Sequence, residues 1–335
     1  YLNGLMLPSG GNVGLDISRG LIHGHKAVNK FGAAPSGVQT TLTDIWDLAD
    51  ATPTQQIWLA PTQARQHSFA SSAAADTCGI GTLTLTGQPL NNETITIGTK
   101  VYTFQEVLTD EDGNVLIGAT ASDSIDNLIA AINLGAGAGT VYAESMTAGS
   151  DVIAAAGAGD TMLLFDQQSL GLATTETLTN GSWGAATITP GVGARKIRVY
   201  GLKDWNSKET SEDITLHGTY SVDGLDSFVI IHRQKVLTYG TSGPNVGAIT
   251  ATAKTDNTKT AVILAGNGQT EMAIYGIPST QKLYINKWRC NIDKTIGAAT
   301  SCDFYLKVNE SPNVLPTVFL RKHDISVMNT GTSMF

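Results

Sequence analysis

Residues 190–203 read PGVGARKIRVYGLK, and this stretch decides how the chain divides. RKIRVYGL alternates between apolar and polar residues, as a half-buried β-strand does. Residues 65–79, RQHSFASSAAADTCG, form an earlier candidate strand that ends in small residues. The residues between these two strands have a different pattern. We therefore predict that 79–189 is an insertion in a β-sheet protein, because insertions survive at exposed loops whose ends lie close together.

Residues 79–189 predict a small α+β domain with the order β-β-β-α-β-β-β. GTLTLTG, ETITIG and KVYTFQEVL alternate as strands, and TMLLF, ATTETL and AATIT follow as three more. The helix between them is TASDSIDNLIAAIN at 120–133, where Thr120 and Asp123 resemble a capping box. Its apolar residues have the spacing of one helical stripe: Ile125, Leu128, Ile129 and Ile132.

The chain after residue 190 predicts antiparallel strands with no helix between them. The candidates are RKIRVYGL, SEDITLHGTYSV, SFVIIHRQKVLTYG, VGAITATAK, TAVILAGN, TEMAIYGIP, KLYINKWRCNI, SCDFYLKV and TVFLRKHDISVM. Turns such as VDGLD separate them, and this spacing is typical of a sandwich or barrel. SFVIIHRQKV is apolar on both faces at one end, which predicts a central strand covered by a second sheet or a partner subunit.

Together these patterns predict a mainly β protein: an antiparallel, jelly-roll-like β-sandwich host domain with an inserted small α+β domain. The predicted boundaries are an extended N-terminal arm at 1–40, the sandwich at 41–78 and 190–335, and the insertion at 79–189. The arm is rich in glycine, and we expect at most two strands and no helix in it. IWLAP at 57–61 predicts a further strand.

Charge and hydropathy narrow the classes of function. The net charge is −8 and no run of Lys and Arg occurs, so nucleic-acid binding is not expected, because phosphate neutralisation supplies most of that affinity. No apolar run approaches the ~18 residues that span a bilayer, so we expect no membrane contact. The first residues lack a signal-peptide pattern, which predicts folding in a reducing cytoplasm.

The three cysteines, Cys78, Cys290 and Cys302, fit no metal spacing. Free buried thiols are the preferred interpretation, in keeping with a cytoplasmic site of folding. A single disulfide between Cys290 and Cys302, facing each other across a hairpin, is the alternative.

The histidines and clustered carboxylates give no complete metal site. His23 and His25 lie two apart, which would point both to one side of an extended chain, but no third ligand is indicated. Asp110, Asp112 and Asn114 occupy alternate positions, as in a calcium loop. No acid stands at the twelfth position of that loop, so we interpret the stretch as a hairpin turn.

No catalytic constellation is present either. GAGAGT at 135–140 opens no helix and lacks the Lys–Ser/Thr ending of a phosphate loop. Glu209 and Glu212 fall in a predicted polar turn, where burial would not raise a pKa. We therefore predict that the protein is not an enzyme and carries no metal or cofactor.

Trp205, in the polar stretch KDWNSKET, is interpreted as an interface anchor rather than a sugar platform. The candidate interface residues are Trp205, His23 and His25.

Three strings of the predicted sandwich resemble virion structural proteins of tailed bacteriophages: GVGARKIRVYGL, HRQKVLTYGTSGPNVGAITAT and ILAGNGQTEMAIYGIP. The insertion resembles a module that recurs in phage tail and head proteins, through GTLTLTG, ETITIG, VYTF, ASDSIDNLIAAIN and TTETLTNGSWGAATIT. Neither resemblance carries catalytic residues.

The resemblance implies a virion structural protein. An acidic protein should avoid the inner wall against packaged DNA, and a Gly-rich arm suits clamping onto neighbouring subunits, so we predict a head decoration (cement) protein that binds the outer capsid surface. The resemblance also implies other virion proteins as partners, the major capsid protein first among them, and a homo-oligomer such as a trimer. The expected location is the virion, after assembly in the bacterial cytoplasm. A tail or fibre component that contacts the host cell through the insertion is the first alternative. A secreted adhesin or enzyme and a major capsid protein are disfavoured.

Overall fold

The computed structural model describes residues 13–19, 21–33, 63–149, 151–168, 171–285, 287–292, 301–314, 319–328 and 332–334. The predicted strand IWLAP lies outside them. The chain is mainly β, as predicted. Its elements are α1 (Val13–Ser18), β1 (Arg65–Ser71), β2 (Ile80–Leu85), β3 (Thr94–Ile97), β4 (Lys100–Gln105), β5 (Asn114–Leu116), α2 (Ala121–Asn133), β6 (Val152–Ala156), β7 (Thr161–Asp166), β8 (Leu172–Glu176), β9 (Gly181–Trp183), β10 (Thr187–Ile188), β11 (Ala194–Leu202), β12 (Thr210–Thr215), β13 (Val222–Phe228), β14 (Ile230–Tyr239), β15 (Ile249–Ala253), β16 (Lys259–Ile263), β17 (Arg289–Asn291), β18 (Ser301–Val308), β19 (Leu320–Met328) and β20 (Thr332–Met334).

Two antiparallel sheets face each other as a sandwich. One has the order β13-β1-β15-β16 and the other β12-β11-β14. β12 lies against β13, and β14 lies against β16. Alternation along each strand directs one face inward, so that Phe69, Ile197 and Val199 share a buried core with Ile249 and Ile263. The predicted sandwich strands β1 and β11 lie in different sheets.

The apolar stretch around residue 230 has another cause than the one predicted. Phe228, Val229, Ile230 and Ile231 are all buried because the chain crosses between the two sheets there, from β13 to β14. Among the described residues β14 is the last strand of its sheet, next to β11, so the prediction of a central strand is wrong. The predicted cover by a second sheet is present, since β14 lies against β16. Residues 268–270 cover the other edge of β14.

Three further strand assignments differ from prediction. Among the described residues of KLYINKWRCNI, only Arg289–Asn291 form a strand. VDGLD, predicted as a turn, lies in β13, where it pairs with β1. Residues 270–278, TEMAIYGIP, form no strand. Their backbone is still hydrogen-bonded to β14, because the N–H of Thr270 donates to the carbonyl of Gln234 at 3.0 Å. Alternating apolar residues fit an extended chain whether or not a neighbouring strand completes the ladder.

Residues 80–188 build a second core. Two sheets, β10-β8-β3-β4-β5 and β6-β7-β2-β9, pack with α2 around buried residues that all fall between Leu83 and Ile188. The predicted helix is confirmed, including its capping box: Thr120 accepts from the Asp123 backbone, and Asp123 caps Thr120 in return. Three strands, β5, β6 and β9, escape the predicted pattern because Ala-rich and three-residue strands give little alternation.

The predicted hairpin around residue 112 is wrong, because β4 and β5 run parallel. The connecting loop is held to a later segment instead. Asp110 accepts from the backbone N–H of Ser145, and Asp112 from that of Thr147, both at 2.8 Å. The hydrogen bonds from Lys100 and Thr147 lower the pKa of Asp112 to about 2.

A narrow neck joins this segment to the sandwich. The N–H of Gly191 donates to the carbonyl of Thr77, and that of Gly193 to Ala75, each at 3.0 Å. The two chains entering and leaving 80–188 therefore run antiparallel and in contact. The ends of the segment lie close together, which is the geometry that an insertion needs.

Asp76 is the buried hydrogen-bond acceptor at the centre of the neck. Its side chain is fully buried and accepts from Ser71 Oγ (2.6 Å) and from the backbone N–H groups of Ala194 (2.7 Å), Val246 (2.8 Å) and Gly247 (2.8 Å). A buried carboxylate with four donors links β1, β11 and the loop before β15.

An aromatic joint lies beside the neck. The ring of His217 stacks on Phe165 of β7 with centroids 3.9 Å apart, and Tyr220 contacts the same Phe edge-on. Burial lowers the pKa of His217 to about 4, so its ring is neutral at neutral pH. A neutral ring can accept a hydrogen bond at Nε2, and Gln167 Nε2 donates it at 3.0 Å. At the same place the backbone N–H of Cys78 donates to the carbonyl of Leu216 at 2.8 Å.

The C-terminal strands form two small ladders, β17–β20 and β18–β19, with their own buried cluster around Cys290, Ile325 and Val327. Cys290 and Cys302 therefore lie on strands that do not pair with each other, so the hairpin geometry considered for them is wrong. Both are free, as is Cys78. Burial raises the pKa of Cys290 to about 11 and that of Cys78 to about 12, which makes both poor nucleophiles.

Candidate subunit-contact site at the N-terminal arm

The N-terminal arm lies on the sandwich without joining its sheets. The expectation of no helix is wrong, since α1 forms one short turn of helix, but residues 21–33 contain no strand or helix. Ile22 is buried, and the N–H of Ala33 donates to the carbonyl of Glu271 at 3.3 Å. Two lysine side chains attach the arm further, and one of them binds a partly buried carboxylate.

That carboxylate is Glu209, at the end of the loop before β12. Its Oε1 accepts from Lys26 of the arm at 2.7 Å. Its Oε2 accepts from His232 Nε2 and from the hydroxyl of Tyr275, both at 3.0 Å. The arm, β14 and the chain after β16 therefore meet at a single group, which we call the arm clasp.

The protonation states of the arm clasp follow from burial and partners. Burial opposes ionisation of Glu209, but the hydrogen bonds from His232 and Lys26 prevail and lower its pKa to about 2. Burial lowers the pKa of His232 below its ordinary value. At neutral pH the contact is thus a hydrogen bond from a neutral imidazole to a carboxylate. Burial and the charge of Glu209 raise the pKa of Tyr275 well above its usual range, so it stays a donor.

Lys30 adds a second attachment of the arm. Its ammonium donates to the backbone carbonyl of His232. Burial, followed by the positive charge of Arg233, lowers the pKa of Lys30 to about 8. A lysine held in this way loses part of its hydration on docking, so the attachment is specific but of modest strength.

The arrangement is suited to holding a segment, not to a reaction. Glu209 has a depressed pKa and its oxygens are occupied by three donors, so it is a poor general base. Within the described residues, no group of three His, Cys, Asp or Glu side chains is arranged to hold a metal ion. None of the helices in the described part of the chain is long and apolar enough to cross a membrane.

The predicted interface residues lie on two segments that contribute to the arm clasp, but none of them binds Glu209 among the contacts described above. His23 and His25 are exposed on the arm, next to Lys26. They are not in extended chain: Gly24 between them has a φ of 79°, and His25 Nδ1 lies 3.2 Å from the carbonyl of His23. Trp205 is half-buried and packs against the sandwich core, in the same loop as Glu209.

Sequence reasoning missed the residues that make the clasp. Glu209 and Glu212 were assigned to a polar turn, yet Glu209 is partly buried and Glu212 lies in β12 and accepts from the backbone N–H of Asp226 on β13 (3.2 Å). The available signal was His232, a polar residue inside an apolar strand, which needs a buried partner.

Charge divides the chain along the same boundary as the cores. Residues 79–189 contain twelve Asp and Glu and a single Lys, a net charge of −11. The remaining residues contain 17 acidic and 20 basic side chains, a net charge of +3. Lys100 pairs with Asp112, so the other carboxylates of the segment have no cation within it. The acidic character of the protein therefore belongs to this one segment.

Comparison with known proteins gives no family. The chain significantly matches no protein-family model, no curated protein and no solved structure.

Proposed function

We propose that this chain is a non-enzymatic structural protein of a tailed-phage virion, which binds the outer surface of the head as a decoration protein. The observation that carries the proposal is the arm clasp. An arm attached by side chains can be exchanged onto a neighbouring subunit without opening a sheet. The resemblance of the sandwich strands to virion structural proteins supplies the context.

The charge distribution supports the outer surface. A segment with a net charge of −11 is repelled by packaged DNA and by like segments on neighbouring subunits. Such a segment is best accommodated pointing away from the shell, with the arm and sandwich against it. The proposed assembly is a homo-oligomer, with a trimer favoured, bound to the major capsid protein.

The test is to titrate the purified protein against expanded, undecorated heads. Saturation at a defined number of copies is the expected result, and a variant lacking residues 1–33 should remain folded but bind more weakly. Binding without saturation would refute the proposal. Binding to tails, or to host cells through 79–189, would favour the alternative of a tail or fibre component.

A further inference from the structure

One exposed stretch carries both positive charge and apolar side chains. Lys282, Leu283, Tyr284 and Ile285 are all exposed, and Lys287 and Arg289 follow after a short interval. We call these six residues the basic strip. Tyr284 is 75% exposed and Ile285 53% exposed. Single exposed apolar residues are ordinary, but three in succession mark a contact surface.

The first part of the strip is not paired in any sheet. Residues 282–289 read KLYINKWR, which is strand-like, yet Lys282–Ile285 form no strand, whereas Arg289 begins β17 and pairs with β20. None of its three basic side chains forms an ion pair with a described residue. Residues 282–335 contain seven Lys and Arg and four Asp and Glu, so the positive charge continues into the C-terminal ladders.

The complementary charge lies on 79–189. The arm and sandwich, residues 1–78 and 190–281, carry equal numbers of acidic and basic side chains, 13 of each. The chain therefore has one strongly negative region and one positive region, and the remaining residues are neutral overall. Within the negative region, Asp110 and Asp112 hold the loop 106–112 to residues 145–147. The same loop carries Glu106 and Glu111, both exposed, and Val107, which is 77% exposed. We call this the acidic loop.

We propose that the basic strip of one copy docks on the acidic loop of a second copy of this chain. The lysines would face the carboxylates, while Tyr284 and Ile285 would cover Val107. The contact is heterologous, with different surfaces on the two sides, so it closes into a ring such as a trimer if the rotation permits. This contact rests on the proposed function and adds to it the surface through which copies of the chain associate. The test of the contact needs no virion.

The experiment uses two charge-reversed full-length variants, measured by sedimentation velocity. Lys282→Glu/Lys287→Glu makes the strip acidic, and Glu106→Lys/Glu111→Lys makes the loop basic. Wild type should self-associate in a concentration-dependent manner, more weakly at high salt. Each variant alone should dissociate with a constant raised about 100-fold or more, because like charges then face each other. An equimolar mixture of the two should associate again, since each mutated surface meets its opposite.

The matched control is Lys235→Glu/Lys259→Glu, which makes the same charge change on the sandwich, where both lysines are exposed. It should associate as wild type does. A monomeric wild type at low salt, equal loss in the control, or failure of the mixture to recover would each overturn the proposed contact. Saturable head binding by a monomeric protein would leave the proposed function standing, so the two failures are distinguishable.

Discussion

The sandwich and the 80–188 segment are both built from β-strands around a closed core, yet they differ in charge and in attachments. The sandwich body is electrically balanced, holds the arm at Glu209 and continues into the basic strip. The segment carries a net charge of −11 and joins the rest through the neck and the aromatic joint. The difference shows that the arm is held on the sandwich side, while the segment supplies most of the negative charge.

The largest expected effect lies at the neck. Asp76→Ala removes a buried acceptor from four donors, three of them backbone N–H groups, and should lower the free energy of unfolding of the sandwich by roughly 5 kcal/mol. Differential scanning calorimetry should show an earlier sandwich transition and an unchanged segment transition. The control is Asp160→Asn, an exposed acid, which should change neither. A concerted shift of both transitions would show that the two regions unfold as one.

Core deletions test the same separation from each side. Leu128→Ala in α2 should destabilise the segment by about 3 kcal/mol and spare the sandwich, because each residue packs only within its own core. Ile197→Ala in β11 should have the converse effect. If either substitution shifted the thermal transitions of both regions equally, the two cores would not be independent.

The aromatic joint should make stability depend on pH. Burial lowers the pKa of His217 to about 4, so between pH 6.5 and 4 the unfolded chain binds a proton that the native chain does not. Stability therefore falls as the pH falls through this window, by on the order of 3 kcal/mol for this residue. His67, whose pKa burial also lowers to about 4, adds a similar loss.

His217→Phe keeps the stacking on Phe165 and removes the titration. Urea unfolding at pH 7 and pH 4 should give a smaller loss on acidification for the variant than for wild type. An identical loss in both proteins would show that His217 is not buried as described.

The smallest effect is expected at the arm. Lys26 is half exposed, so Lys26→Ala should weaken arm docking by only about 0.5 kcal/mol. Limited proteolysis should cut within residues 21–33 somewhat faster, with Lys235→Ala as the control. Unchanged cleavage in the variant would show that the Lys26–Glu209 pair does not retain the arm.

The sequence was sufficient for the elements whose pattern is local. The α2 stripe and its capping box, and the alternating strands β2, β3 and β11, follow from side-chain period and turn chemistry. The sequence was insufficient where contact with a neighbouring strand determines the secondary structure. VDGLD becomes a strand because β1 lies beside it, and TEMAIYGIP does not, although its apolar residues alternate.

The arm clasp could not be read from the sequence for a related reason. Lys26, Glu209, His232 and Tyr275 are distant along the chain, and each taken alone resembles an ordinary polar residue. Only the fold gathers them around one carboxylate. The charge division was visible in the sequence, but its importance depends on the separate core that encloses the same residues.

Replacing residues 78–190 by Asn-Gly tests the account most directly. Thr77 and Gly191 are hydrogen-bonded, so a two-residue turn closes the gap with little strain. We expect the shortened chain to be soluble and to melt cooperatively, and residues 79–189 expressed alone to fold with α2 intact by circular dichroism. An aggregated shortened chain together with an unfolded 79–189 fragment would contradict the division into a sandwich and an inserted domain.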